Sequence, residues 1–228
     1  GPGINLVDVA QQGGADVIVG WLPEVLAARE NGIKLINIAQ VFSRSGLMLT
    51  CRRDAGVSTP ADFRGKTLGV WFHGNEYPFL QWMARLGYKA LGSGADIKVM
   101  SQGFDVGPLI SGAAACISTM TYNEHWQVLN AGLAPDALTL FKYEDQGVAT
   151  LEDGLYTLEG NLTDPNMSDR LTRFVGATIK GWKRAIANQK EAVEIVLDND
   201  VTGAQTVDHQ TFMMQEVGKL VGTDTAKI

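Results

Sequence analysis

Short apolar, β-branched runs alternate with helical segments along most of the 228-residue chain. Residues 15–19, 33–42 and 46–52 predict strands. Residues 23–30 predict a helix that has proline near its start and stops at Asn31-Gly32. The same alternation continues to about residue 158, and the chain beyond it reads as helical. This order of elements predicts an α/β protein with mostly parallel sheets.

The remaining elements follow from the same patterns. Further strands are predicted at 67–71, 97–100, 115–119, 137–141 and 148–158. Further helices are predicted at 5–12, 74–87, 106–111, 121–130, 168–188, 190–197 and 207–220.

Composition excludes some classes of function. The net charge is −6 and no basic stripe stands out, so nucleic acid is not expected as a partner. The longest apolar runs fall far short of the roughly 20 residues that a membrane-spanning helix needs. A globular protein with a small-molecule ligand remains the favoured class.

Metal and cofactor chemistry finds little support in the sequence. Cys51 and Cys116 lie far apart, no Cys-x-x-Cys pair occurs, and the three histidines are scattered, so neither a metal site nor a cofactor is expected. Two separate buried thiols are the favoured interpretation of the cysteines, and a disulfide is left open. Gly-x-Ser-x-Gly, P-loop and His-Glu-x-x-His motifs are absent, which predicts a protein that is not an enzyme. His73 and His125, close to candidate site residues, keep acid–base chemistry open.

An internal repeat suggests two lobes. Residues 14–32 align with residues 114–132 at a constant offset of 100, with Glu24 matching Glu124. Both segments read as a strand, a turn, a helix and a glycine stop. Because each turn follows the carboxyl end of a strand, where open α/β sheets bind ligands, the two turns are expected to face each other across a cleft.

Five segments carry a family resemblance. Residues 13–17 (Gly-Gly-Ala-Asp-Val) and 58–70 resemble the lobe-forming segments of periplasmic solute-binding proteins. Residues 71–80, 119–124 and 143–147 are similar to one branch of that superfamily. The branch comprises proteins that bind thiamine pyrimidine precursors and the fungal pyrimidine synthase of thiamine biosynthesis.

The resemblance implies a two-lobe, periplasmic-binding-protein-like type II fold with a ligand cleft between the lobes. Residues 1–50 and 150–228 would form lobe I, and residues 54–144 would form lobe II. Residues 44–53 and 143–150 would be the hinge crossovers. Family members carry a further strand and helix before the position of Gly1 and continue past Ile228, so the chain is expected to be a fragment.

The same resemblance implies the function. The chain would be the substrate-binding component of an ABC importer, capturing a small heterocycle, an aminopyrimidine thiamine precursor. Its partners would be that ligand and an ABC permease, and it would act as a monomer, periplasmic or extracellular and membrane-anchored. A pyrimidine-synthesising enzyme, a sensor domain, and binding of riboflavin, sulfonate, taurine or nitrate remain alternatives. The enzyme's cysteine-rich iron motif is absent from this sequence.

The candidate ligand-binding residues lie after predicted strands or at the second crossover. They are Trp21, Trp71, Gly74, Asn75, Glu76, Tyr77, Tyr122, Asn123, Glu124 and Asp145.

Each candidate has an expected role. Glu124 would accept two parallel N–H bonds from an aminopyrimidine, or would only complement a helix dipole. Asn75 would orient the ligand, or would only cap a helix. Glu76 would disfavour anions at the same helix N-terminus. The aromatic side chains would stack on a flat ligand, or would belong to the core.

Overall fold

The computed structural model describes residues 5–72 and 74–221, and the chain divides into two compact units. Unit 1 combines the described residues up to Arg44 with those from Thr150 onward. Unit 2 is Ser45–Ala149. Sequence-based expectations for residues 1–3, His73 and residues 223–228 lie outside the described residues.

The strands and helices of the described chain are numbered in sequence order. The strands are β1 (Ile18–Gly20), β2 (Leu35–Gln40), β3 (Leu47–Arg52), β4 (Thr67–Val70), β5 (Lys98–Ser101), β6 (Cys116–Met120), β7 (Leu138–Lys142) and β8 (Gly154–Leu158). The α-helices are α1 (Leu6–Gln11), α2 (Leu22–Glu30), α3 (Tyr77–Arg85), α4 (Gly107–Ile110), α5 (Glu124–Asn130), α6 (Glu159–Thr163), α7 (Pro165–Ala187), α8 (Gln189–Asp198) and α9 (Val207–Leu220).

Unit 1 contains a three-stranded sheet in the order β1-β8-β2. Strand β8 is antiparallel to both neighbours, so β1 and β2 point in the same direction. Gly154 pairs with Gly20 on one side and with Gln40 on the other. The core packs α1 and α2 against this sheet through the buried residues Val7, Ala10, Ile18, Val25, Ala28, Leu35 and Tyr156.

Capping side chains account for the starts of α1 and α7 in unit 1. Asn5 Oδ1 accepts the backbone N–H of Val7 at 2.9 Å, which confirms the predicted start of α1. The predicted start of the long helix at residue 168 was wrong. Asp164 is the cap, its Oδ1 accepting the Asn166 N–H at 2.9 Å, and Pro165 occupies the first helical turn.

Unit 2 contains a five-stranded sheet in the order β5-β4-β6-β3-β7. Strands β5, β4 and β6 are parallel, whereas β3 is antiparallel to both β6 and β7. The α/β fold class is confirmed, and four of the five strands of the unit 2 sheet point in the same direction. In each unit one reversed strand, β8 or β3, lies between strands that share one direction. Both reversed strands follow shortly after the chain passes from one unit to the other.

Aromatic rings fill part of the unit 2 core. The Phe63 ring lies edge-on to Trp82 and Phe141, with centroid separations of 5.4 Å in both cases. Tyr143, fully buried, lies 5.5 Å from Trp82. These contacts pack α3 and the turn at Phe63 against β7 and the residue that follows it.

Cys51 and Cys116 form a disulfide between β3 and β6. The favoured interpretation of two separate thiols was therefore wrong. Sequence spacing could not show that the two residues fall directly opposite each other in the β3–β6 register.

The boundaries of the two units differ from those expected for the lobes. Residues 45–50 were expected in lobe I, but β3 hydrogen-bonds to β6 and β7 and belongs to unit 2. The strand expected at 148–158 begins only at Gly154, because residues 143–147 form turns. Among the described residues, no helix is long and apolar enough to cross a membrane.

Candidate functional site

Nine of the ten predicted site residues follow strands at one edge of the unit 2 sheet. Strands β4, β5, β6 and β7 point in the same direction, so their carboxyl ends lie at the same edge. The predicted residues follow these strands, in segments 71–72, 74–77, 121–124 and 143–147. We call these residues, together with 102–104 after β5, the unit 2 edge. Carboxyl edges of this kind are where open α/β sheets bind ligands.

The segment after β4 is held by its own side chains. Trp71 is buried, and its indole N–H donates to the Gly103 carbonyl at 2.9 Å. Gly74 has a φ of +101°, which favours glycine, and its N–H donates to the Glu76 carboxylate at 2.8 Å. Asn75 donates its amide N–H to the Phe72 carbonyl at 3.3 Å and precedes the residue that caps α3. Tyr77, the first residue of α3, is 42% exposed.

The segment after β6 is organised by Glu124. Its carboxylate is buried; Oε2 accepts the Met120 N–H at 2.9 Å and Oε1 accepts the Asn123 amide at 2.8 Å. Burial raises the pKa of Glu124, although these hydrogen bonds oppose the shift. Asn123 in turn accepts from the Gln127 side chain at 3.1 Å. These contacts make Glu124 a residue that holds the β6–α5 turn, and its binding to a ligand stays a prediction.

Asp145 lies farther along the unit 2 edge. It is exposed and follows β7, three strand positions from β4, which corresponds to roughly 14 Å at the usual strand spacing. The turn that contains it ends at Gly147, whose φ is +69°. Arg85 Nη1, from the end of α3, donates to the Gly147 carbonyl at 2.6 Å. A small ligand that contacts the β4 segment would therefore not reach Asp145.

Phe104 is a residue of the unit 2 edge that the sequence analysis did not select. Its ring is 65% exposed and lies 6.2 Å from the Trp71 ring at an interplanar angle of 32°. A buried tryptophan thus supports an aromatic face that remains accessible in unit 2. Phe104 could have been identified in the sequence by its position shortly after a predicted strand, because a position at the end of a strand also selected Trp71.

In unit 1 the corresponding edge carries the tenth predicted residue. Trp21 follows β1 directly and is the N-cap residue of α2. Asp153, which immediately precedes β8, lies across from Trp21, because Gly20 pairs with Gly154. Burial raises the pKa of Asp153, and the indole opposes this shift. We call Gly20, Trp21, Gln40, Asp153 and Gly154 the unit 1 edge.

The internal repeat is visible in the structure. Both β1–α2 and β6–α5 are a strand, a turn and a helix, and both helices are followed by a glycine with positive φ. The φ values are +88° at Gly32 and +96° at Gly132. Trp21 and Tyr122, one in each unit, both stand between the strand and the helix.

Between residues 5 and 221, His73 aside, no group of three or more His, Cys, Asp or Glu side chains is arranged to hold a metal ion. The hydrogen bonds above instead place carboxylates, amides and aromatic faces at the two edges. Such groups hold small organic molecules by hydrogen bonding and stacking.

Comparison with solved structures defines the fold class. The chain is similar to the alkanesulfonate-binding protein SsuA from Xanthomonas axonopodis pv. citri, with 13% identity, a TM-score of 0.68, and coverage of 92% of this chain and 69% of that one. The periplasmic aliphatic sulphonate-binding protein SsuA from Escherichia coli gives 9% identity, a TM-score of 0.69 and the same coverage, 92% and 69%. A Candida albicans protein described as having the generic periplasmic binding protein fold gives 13% identity and a TM-score of 0.63, covering 95% of this chain and 67% of that one. The chain therefore has the periplasmic binding protein fold.

The family follows from the sequence match. The model of the NMT1/THI5-like family matches residues 2–192, most of the chain. The chain belongs to the NMT1/THI5-like family, which confirms the family resemblance. No curated protein matches the chain.

Proposed function

We propose that the chain is the substrate-binding component of an ABC importer and captures a small heterocycle. The observation that carries this proposal is the convergence of Trp71, Gly74–Tyr77 and Tyr122–Glu124 at one carboxyl edge of unit 2. The fold supports it, since the similar solved structures include two sulfonate-binding proteins.

The ligand that we favour is an aminopyrimidine thiamine precursor. A flat ring suits the accessible faces of Phe104 and Tyr77, because offset or tilted aromatic pairs contribute about 0.5–1.5 kcal/mol each. Asn75 and Asn123 offer amide groups that can fix the orientation of ring nitrogens and amino groups. Membership of the NMT1/THI5-like family is consistent with this choice.

An anionic ligand such as a sulfonate is the alternative that the neighbours suggest. Anions bind helix N-termini through free backbone N–H groups and the helix dipole. At the start of α3, however, the Glu76 carboxylate already accepts the Gly74 N–H. A second negative charge at this place would be repelled, which favours a neutral or cationic ligand.

The proposed location is the periplasm or the outer face of a membrane, with an ABC permease as partner and a monomeric chain. The Cys51–Cys116 disulfide supports this location, because disulfides persist mainly in oxidising compartments. The two places where the chain passes between the units, at Arg44–Ser45 and at Ala149–Thr150, are proposed as the hinge. Gly147, with its positive φ, suits a turn that must change conformation.

A thermal-shift screen tests the proposed ligand. Hydroxymethylpyrimidine, formylaminopyrimidine, thiamine, riboflavin, taurine and nitrate would each be added to the purified protein. A ligand at 100 times its dissociation constant should stabilise the protein by about 2.7 kcal/mol. Stabilisation by a pyrimidine supports the proposal, whereas stabilisation by taurine or riboflavin alone would replace it.

Phe104→Ala then tests the site. This variant should weaken pyrimidine binding by roughly two- to tenfold, the loss expected for one stacking contact. Phe174→Ala, which removes an exposed ring (47%) from α7 in unit 1, is the matched control and should bind as the wild type does. Equal affinity of both variants would remove Phe104 from the site.

A further inference from the structure

Strands β4 and β6 separate at the carboxyl edge of the unit 2 sheet. The last register pair between them is Gly69–Ile117, whereas β4 pairs with β5 as far as Val70 and Ser101. The order of strands also reverses here, because β5 lies on one side of β4 and β6 lies on the other. A crevice at such a reversal is where open α/β sheets bind ligands.

The side chain of Gln102 spans the crevice between β4 and β6. Gln102 follows β5, and its backbone N–H donates to the Val70 carbonyl at 3.0 Å. Its side-chain amide reaches past β4 to β6, where Nε2 donates to the Ser118 carbonyl and Oε1 accepts the Ser118 N–H, both at 2.8 Å. The amide therefore stands in for a strand residue opposite Ser118, since it offers one donor and one acceptor as a peptide group does.

The contact between Gln102 and Ser118 is buried. Gln102 is 7% exposed and Ser118 is 3% exposed. Gly69 leaves room for the amide, because a Cβ at this position would lie 3.0 Å from Gln102 Oε1. A buried amide that loses its partners is costly, so the two hydrogen bonds hold the Gln102 side chain in one orientation.

Gln102 leads directly into the aromatic wall of the candidate site, which we define as Trp71 and Phe104. The two rings lie 6.2 Å apart at an interplanar angle of 32°. The Trp71 indole N–H donates to the Gly103 carbonyl at 2.9 Å. The exposed Phe104 ring therefore stands two residues after Gln102, on a backbone that Trp71 holds at Gly103.

The other side of the crevice is formed by β6 and the turn that follows it. Ser118 lies on β6 two residues before Met120, whose N–H donates to the Glu124 carboxylate at 2.9 Å. A shift of the segment after β5 relative to Ser118 would change the spacing between the aromatic wall and this turn. A stacked ligand is sensitive to such a shift, because aromatic pairs require centroid separations of about 4.5–7 Å.

We propose that Gln102 is the positioning residue of the ligand site in unit 2, its amide fixing the aromatic wall of Trp71 and Phe104 relative to β6. Gln102 acts through this wall rather than by touching the ligand. This role rests on the proposed function, since the wall belongs to the same ligand-binding edge.

Hydrogen exchange without any ligand tests the positioning by itself. The indole N–H of Trp71, assigned by NMR with Trp71→Phe, reports on its bond to Gly103. Gln102→Met keeps the length of the side chain and removes both polar atoms, so it should speed this exchange by about tenfold or more as local opening becomes easier. Gln210→Met removes a similarly buried amide (8% exposed) from α9 in unit 1 and should exchange as the wild type does. Unchanged exchange in Gln102→Met would overturn the proposal.

A second variant decides the question if Gln102→Met does not fold. The carboxyl group of Gln102→Glu has no donor while it is ionised, but its protonation at low pH restores an O–H donor beside a carbonyl acceptor. Exchange of the Trp71 indole, relative to the wild type at the same pH, should be fast at neutral pH and should approach the wild-type rate as the pH is lowered. A rate that stays raised at every pH would contradict the paired contact with Ser118.

The ligand arm measures whether Gln102 acts through the aromatic wall. Affinity for hydroxymethylpyrimidine is measured by calorimetry for Gln102→Met, for Phe104→Ala and for the double variant. Residues that act through each other have non-additive effects. The double variant should therefore bind more tightly than the product of the two single losses predicts. Losses that simply multiply would show that Gln102 does not act through Phe104, whatever its effect on stability.

The two arms separate this role of Gln102 from the proposed ligand. If Gln102→Met speeds the Trp71 exchange but no pyrimidine binds to the wild type, the positioning stands and the pyrimidine ligand is wrong. If hydroxymethylpyrimidine binds equally to the wild type and to Gln102→Met, and the exchange is unchanged, the positioning is wrong and the pyrimidine ligand stands.

Discussion

Cys51 and Cys116 are register partners on β3 and β6, and a disulfide joins them. Strand β3 is the reversed strand through which the chain first enters unit 2, and β6 leads into the turn at Tyr122–Glu124. The disulfide therefore couples the strand that follows the first crossover to one that carries predicted site residues.

Removal of this disulfide should destabilise unit 2. The bond closes a loop with a sequence separation of 65 residues, and native disulfides of this kind contribute about 2–4 kcal/mol. We expect the double variant Cys51→Ser/Cys116→Ser to lose that much free energy of unfolding in urea. A reducing agent should lower the stability of the wild type and leave the double variant unchanged. Equal stability of wild type and variant under oxidising conditions would contradict this account of the bond.

Gly69 is expected to tolerate no side chain. The Gln102 amide reaches over β4, donating to the Ser118 carbonyl and accepting the Ser118 N–H, both at 2.8 Å. A Cβ on Gly69 would lie 3.0 Å from Gln102 Oε1 and 3.1 Å from Ile117 Cγ2. Gly69→Ala should therefore cost about 1–3 kcal/mol of stability through overpacking and weakened hydrogen bonds.

A glycine in open surroundings provides the control for that variant. Gly176 lies inside α7, and a Cβ there would meet nothing within 4 Å. Gly176→Ala should raise stability by about 0.5–1 kcal/mol because alanine is the better helix former. The free energy of unfolding of both variants is measured by chemical denaturation. If both variants are destabilised, the loss in Gly69→Ala cannot be assigned to overpacking at Gly69.

The buried Glu124 carboxyl should impose a pH dependence on stability. Burial raises its pKa in the folded state, so the folded protein holds the proton more tightly than the unfolded chain does. The free energy of unfolding should therefore fall as the pH rises from the ordinary glutamate pKa through the raised folded value. Glu124→Gln cannot titrate, and relative to it the wild type should lose stability across this window. A wild type that gains stability over the window would show that the shift has the opposite sign.

Much of the fold could be predicted from the sequence because strand and helix periods are local. The strands at β3, β4, β6 and β7 lie within one or two residues of their predicted positions. The prediction of a strand from residue 148 was wrong, because the apolar side chain of Val148 is buried in a turn at the end of unit 2. Strand direction and the Cys51–Cys116 pairing depend on contacts between distant segments, which no local pattern records.

The positions of the candidate site residues could be predicted about as well as the strands, but their contacts could not. A turn that follows a strand can be recognised in the sequence, and this selected Trp71, Tyr122 and Trp21. The role of Glu124 was not accessible in this way, because its two hydrogen bonds depend on the folded turn. The positive φ of Asp153 could not be predicted either, because Asp-Gly before a strand is typical of an ordinary turn.

Glu76 should control the charge of the ligand. Its carboxylate accepts the Gly74 N–H at 2.8 Å, at the end of α3 that would otherwise attract an anion. Glu76→Gln removes the negative charge and keeps an acceptor, so we expect binding of taurine or another sulfonate to strengthen by roughly two- to fivefold. Glu159→Gln, at the start of α6 in unit 1, is the matched control. Sulfonate affinity is measured by calorimetry. Equal affinities in the two variants would show that Glu76 does not control the charge of the ligand.

The central claim is that a small heterocycle binds at the carboxyl edge of the unit 2 sheet. A crystal structure of the protein with hydroxymethylpyrimidine tests it most directly. The account predicts density for the ring in contact with Trp71 or Phe104 and with the Tyr122–Glu124 turn. Density only at the opposite end of the sheet, in the cavity of about 440 Å³ lined by Arg52 and Lys66, would contradict it.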